Sequence, residues 1–101
     1  MTRIDVESVV GSPDLLDPVD GKRLAEATSS ALSRGRPLAL DFANVSAISS
    51  AFANGFFVEL RNSFTLSDLQ AALDFINLRP RWAQVWAKSL QAVRQRPPAA
   101  P

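Results

Sequence analysis

The chain contains no cysteine and no histidine. Without cysteine there is no disulfide framework and no thiolate metal ligand, and a reducing compartment is permitted. Without histidine, the usual zinc ligand, the usual general base and every Ser-His or Cys-His nucleophile pair are excluded. Most familiar hydrolytic mechanisms are closed to such a chain, so no catalytic residue, no metal site and no cofactor is expected. Long hydrophobic runs are lacking too. None approaches the roughly 18 apolar residues of a membrane span, and the opening Met-Thr-Arg-Ile-Asp-Val-Glu carries acids where a secretory signal needs an apolar stretch. The expectation is a soluble, cytoplasmic protein with no membrane partner.

What is present reads as one globular unit. At 101 residues, with 47% hydrophobic and 21% charged, the chain has room for a single core, because halves of this length would bury too little surface each. The expected organisation is one α/β domain over residues 1–96 followed by a disordered Pro/Ala tail, 97–101. The formal net charge is only +1, yet it is unevenly spread. Residues 1–26 hold six acids (Asp5, Glu7, Asp14, Asp17, Asp20, Glu26) against three bases, whereas from Arg79 onward there are five bases (Arg79, Arg81, Lys88, Arg94, Arg96) and no acid. Those bases lack the glycine or aromatic interleaving of a nucleic-acid reader, and five phosphate contacts bind weakly. No nucleic-acid partner is expected; a solvated helix face accounts for them.

Along the chain, Ile4 and Val6 alternate with Asp5 and Glu7, which predicts a half-buried strand over Arg3–Val10. Leu16-Asp17-Pro18 supplies a staple position, an N-cap oxygen and a proline fit for a first helical turn. The helix that follows should face inward with Leu24, Ala27 or Thr28, Ala31 and Leu32, and end at Gly35 in the left-handed conformation. Gly21 costs it about 1 kcal/mol relative to alanine, so its start can fall after that residue. The run Leu38–Ala43 predicts a strand buried on both faces, with Leu38, Leu40 and Phe42 on one side and Ala39 and Asp41 on the other. Either Ser49 or Ser50 can cap the next helix, whose inward positions are Phe52, Ala53, Phe56, Phe57 and Leu60. Leu66–Leu78 admits both a helix, from a capping-box pattern at Ser67–Gln70, and a strand. A strand over Ala72–Asn77 is the preferred reading, because a sheet needs it to cover the earlier helices. A last helix begins at Pro80, with Trp82, Val85, Trp86, Leu90 and Val93 on one side. Strand and helix thus alternate, which predicts a small α/β layer of three to four strands joined by right-handed crossover helices.

The segment Leu38-Ala-Leu-Asp-Phe-Ala-Asn-Val-Ser-Ala-Ile-Ser-Ser-Ala-Phe-Ala-Asn-Gly-Phe-Phe-Val-Glu-Leu60 resembles the central motif of STAS-like domains, relatives of bacterial anti-sigma factor antagonists. It is most similar to the small STAS-like proteins of unknown function, with their buried strand, Asp-Phe pair and Ile-Ser-Ser-x-Phe-Ala turn. In the antagonists the turn resembles Asp-Ser-Ser-Gly, and the serine after the aspartate is phosphorylated by an ATPase of the histidine-kinase type. By position Ser50 matches that serine, Ser49 stands where the aspartate would be, and Phe52 replaces the glycine. The resemblance therefore implies a non-catalytic regulatory module that binds a protein partner, with Ser50 and Ser49 as candidate phosphoacceptors. The candidate docking residues are Asn44, Ser46, Phe52, Asn54, Trp82 and Trp86.

Each feature also has a plainer explanation. A serine before a helix is justified by capping alone, at about 1 kcal/mol. Asp41, at the end of a buried strand, fits a structural acid bonded to a neighbouring turn better than a catalytic one, since no second carboxylate is near in sequence. Trp82 and Trp86 either pack on the sheet or anchor a partner. The alternative function is a structural or assembly domain that self-associates, as a homodimer at least, through a sheet edge or the tryptophan helix and carries no switch.

Overall fold

The computed structural model describes residues 2–34 and 37–95. The expectations for Gly35, for the side chains of Arg94 and Arg96 and for the 97–101 tail fall outside the described residues.

Strand β1 spans Thr2–Asp5 and is followed at once by a short helix, α1, Val6–Val10. The expected strand over Arg3–Val10 is thus half helix. Val6 and Val10, four residues apart, are both buried, and Gly11 ends the helix at φ 83°. The valines obey the helical period rather than the strand period, and glycine supplies the left-handed stop. After a two-residue strand, β2 (Asp14–Leu15), helix α2 runs over Pro18–Arg34. Asp17 Oδ1 accepts the Val19 N–H at 2.9 Å, the capping bond anticipated there. Leu16 is not a staple, being 54% exposed. Gly21 does not delay the helix, because its missing side chain is what lets α2 cross the following helix closely: a Cβ there would collide with the Phe52 carbonyl oxygen.

The central strand β3 covers Leu38–Asp41, all four residues buried. A second two-residue strand, β4 (Ala47–Ile48), pairs parallel with β2, and helix α3 follows over Ser50–Arg61. The ambiguous stretch contains both elements that its pattern suggested. Helix α4 covers Leu66–Ala72 and strand β5 Leu73–Ile76. The capping box sits at Thr65 and Asp68 rather than at Ser67–Gln70, with Thr65 Oγ1 accepting the Asp68 N–H and Asp68 accepting the Thr65 N–H. Helix α5, Pro80–Gln95, closes the described chain.

Strands β1, β3 and β5 form a three-stranded parallel sheet in that order. Its register aligns Ile4, Leu40 and Phe75 in one row, and Arg3, Ala39 and Asp74 in the next. Successive rows point to opposite faces. Right-handed crossovers put α2 and α3 on the same face of such a sheet, the one carrying Leu38, Leu40 and Phe75. There Trp86 of α5 stacks among Phe42, Phe56, Phe57 and Phe75, with ring centroids 4.9–5.6 Å apart. Burying several aromatic rings together supplies much of the driving force for folding. The fold is α/β, as expected, with helix α1 and the second small parallel pair β2–β4 as unanticipated parts. No described helix is long and apolar enough to cross a membrane.

Candidate functional site

The β2–β4 pair decides the geometry of the serine turn. It brings the segment before α2 beside the segment before α3, extended by bonds from Ser46 N–H to the Pro13 carbonyl and from Ser49 N–H to the Leu15 carbonyl, both 2.8 Å. Ser49 is the N-cap. Its Oγ accepts the Phe52 N–H at 3.0 Å and donates to the Leu16 carbonyl at 2.8 Å. One hydroxyl thus satisfies a helix N–H and ties two loops together, which leaves little of it for anything else. Ser50 occupies the first helical position and is exposed, and its hydroxyl has no hydrogen-bond partner among the described residues. The first turn of α3 contains no acid, so its positive dipole end carries no compensating carboxylate from within that turn.

Beside this turn lies the apolar surface. The exposed large hydrophobic side chains of the described residues are Leu16 (54%), Val19 (65%) and Val58 (39%). Leu16 and Val19 flank Pro18, against which Gly55 of α3 packs so closely that a Cβ would lie 2.7 Å from the Pro18 carbonyl oxygen. Val58 is one turn beyond Gly55 and Ala51 one turn before it, on the same side of the helix. Leu16, Val19 and Val58 therefore rim the contact between α2 and α3, with Leu16 next to the Ser49 cap and Val58 about two turns along α3 from Ser50. Val19 and Val58 were not singled out from the sequence, and Leu16 was read only as a staple position. The signal was present: Val19 and Val58 are apolar at positions out of phase with the inward stripes of their helices.

Of the residues expected to dock a partner, Asn44 and Ser46 are exposed, Asn54 and Trp82 half-buried, and Phe52 and Trp86 buried. Burial removes Phe52 and Trp86 from any docking surface. Phe52 is fully buried against Trp86 of α5, at 6.4 Å between ring centroids, and Trp86 sits at the centre of the aromatic cluster, because rings of that size gain more from the core than a small domain can forgo. The Trp86 Nε1 is a buried polar side-chain atom with no hydrogen-bond partner among the described residues. Trp82 carries the Arg81 guanidinium over its ring at 5.3 Å.

Asp41 is consumed structurally. Its Oδ1 accepts the Ala43 N–H at 3.0 Å and the Asn77 side-chain amide at 2.9 Å, and Oδ2 lies 3.6 Å from Arg3. Asn77 is held at φ 58°, a conformation asparagine tolerates better than most residues. An open groove at this end of the sheet is lined by Ala43, Asn77, Leu78 and Arg79. No group of three or more His, Cys, Asp or Glu side chains able to hold a metal occurs among the described residues.

No curated protein and no solved structure matches the chain. One family model, described as a STAS-like domain of unknown function, matches residues 20–81, from the first turn of α2 to the first turn of α5 and through the whole of the serine turn. That is more than half of the chain, and the protein accordingly belongs to the family of STAS-like domains of unknown function.

Proposed function

We propose that this chain is a non-catalytic regulatory module that docks a protein partner through the N-terminal turn of α3, with Ser50 as a phosphoacceptor that switches the contact. The observation that carries this reading is an exposed, uncommitted Ser50 hydroxyl beside an apolar rim in which the Leu16 carbonyl bonds the adjoining Ser49 and Val58 lies about two turns further along α3. Exposed apolar side chains grouped beside polar ones are the usual composition of an interaction surface. Asn54 lies on the same side of α3 as Ser50 and Val58, and Asn44 and Ser46 lead into β4 from the adjoining loop. A phosphate on Ser50 is compatible with folding, since the helix N-terminus offsets its charge. It would also place a double negative charge where a partner had met a neutral hydroxyl. The partner class the family resemblance suggests is an ATPase of the histidine-kinase type. The absence of histidine and cysteine and the structural commitment of Asp41 support a binding role over a catalytic one.

The test uses an ATPase of that type encoded in the same genome, purified and mixed with ATP. The expected product is a single phosphate on Ser50, absent from the Ser50→Ala variant. Val58→Asp should melt like the parent and lose the ATPase, and Ser50→Asp should melt like the parent and bind it more weakly. Undiminished binding by Ser50→Asp, together with no phosphate on Ser49 or Ser50 of protein from the native host, would reduce the turn to a helix cap. A second reading, an assembly domain without a switch, is favoured by the edges of the sheet: β1 and β5 each pair on one side only among the described residues.

A further inference from the structure

The uneven charge of the sequence becomes a spatial polarity in the fold. The helices that build the core, α2, α3 and α5, lie on the face of Leu38, Leu40 and Phe75. The opposite face carries the rows Arg3–Ala39–Asp74 and Asp5–Asp41–Ile76. Its one base, Arg3, is turned onto Asp41 of the same face at 3.6 Å. Asp74 is exposed and has no cationic partner among the described residues, and Asp5 is engaged only by the Ser8 hydroxyl, at 2.6 Å. Three acids against one base leave this face negative. On the other side of the molecule, the exposed positions of α5 include Arg81, Gln84, Lys88 and Gln91, and the helix contains no acid. Neither Arg81 nor Lys88 has a carboxylate within ion-pair distance among the described residues. Being on opposite sides, the unpaired acids and the unpaired bases cannot meet within one molecule.

They can meet between molecules. Arg81 and Lys88 are seven residues apart on α5, which puts them on one line about 10 Å apart. Asp5 and Asp74 lie two strands and one two-residue step apart, a diagonal of about 12 Å. Ala39 between them is itself buried, at 1% exposure, and its methyl is too short to keep a helix away, while Ala87 and Ala92 are small exposed residues beside Lys88. Parallel sheets are normally covered on both faces, and a helix laid on this face would complete that arrangement.

We propose that copies of this chain associate head to tail, the acidic sheet face of one receiving the exposed basic side of α5 of the next. This deepens the assembly reading and uses a surface other than the serine turn. Such a contact is heterologous, so it does not close on itself at two copies. It is small and charge-dominated, hence weak and salt-sensitive.

Sedimentation of the full chain over a range of concentrations at low ionic strength tests it. Wild type should grow past the dimer with concentration and return to monomer in about 1 M salt, where screening acts within about 3 Å. A head-blocked variant, Asp74→Lys, and a tail-blocked variant, Arg81→Glu with Lys88→Glu, should each stay monomeric. Mixed in equal amounts, they should stop at a dimer, since one retains a working tail and the other a working head. Asp74→Asn, which keeps the side-chain shape, should weaken association without reversing it and serves if Asp74→Lys does not fold. Wild type that remains monomeric at low salt, a closed dimer that grows no further, or a mixture that yields no dimer would each overturn the proposal. Binding of the ATPase by the head-blocked variant would be unaffected in any of these cases, so the two proposals fail separately.

Discussion

Ser49 and Ser50 differ by one position and by almost everything else. Ser49 uses its hydroxyl as acceptor for Phe52 N–H and donor to the Leu16 carbonyl, while Ser50 is exposed and uncommitted. The two alanine variants should therefore separate in a thermal melt. Ser49→Ala loses a cap and an interloop bond and should cost about 1–2 kcal/mol, whereas Ser50→Ala, at an exposed first helical position with good alanine propensity, should change stability by about 0.5 kcal/mol or less. Equal losses in both would mean that the capping role is shared and that Ser50 is not free to be modified. From the sequence either serine could cap; the choice belongs to the Leu16 carbonyl, thirty-three residues away in the chain.

At the scale of elements, the crossing of α2 on α3 rests on two glycines, Gly21 against Phe52 and Phe56, and Gly55 against Pro18. Helical glycine is ordinarily a liability, and Gly→Ala inside a helix normally stabilises by about 1 kcal/mol. Here the sign should reverse. The obstacle facing Gly21 is backbone, which cannot swing aside as a flexible side chain would, so Gly21→Ala should destabilise by about 1–3 kcal/mol and move the denaturant midpoint down. A midpoint that rises would show that the helices separate without cost. The same close approach holds Leu16, Val19 and Val58 around one seam, so a looser crossing should also weaken the docking surface.

Across the whole molecule, a single apolar cluster draws on residues from α1, β2, α2, β3, β4, α3, α4, β5 and α5. With one core among the described residues, a single cooperative transition is expected. In guanidinium, Trp86 fluorescence, read in a Trp82→Phe background, and far-ultraviolet circular dichroism should follow one superimposable transition. Two resolved transitions would mean that α5 detaches before the sheet and the α2–α3 pair. Its ties are the aromatic cluster and the Arg61 bond to the Val93 carbonyl at 3.2 Å.

What the sequence by itself determined was whatever depends on local chemistry: the absence of histidine and cysteine, the Asp17 cap and Pro18 start of α2, the apolar run of β3, the inward stripe of α3 and the STAS-like motif at its head. It also revealed the structural character of Asp41, since a lone carboxylate at a strand end needs a turn to bond. Other features waited on tertiary structure because they depend on residues far apart in the chain. The valines of α1 turned helical because Val6 and Val10 could then reach one core. Leu66–Leu78 held a helix and a strand in succession because both fit within its length and the sheet accepted the second. Phe52 followed its place on the inward stripe of α3, whereas Trp86, which the sequence left open between core and partner anchor, went inside because the rings of Phe42, Phe56, Phe57 and Phe75 surround it. The exposed seam beside Ser50 exists only because β2 pairs with β4, and no local pattern in either two-residue strand announces its partner.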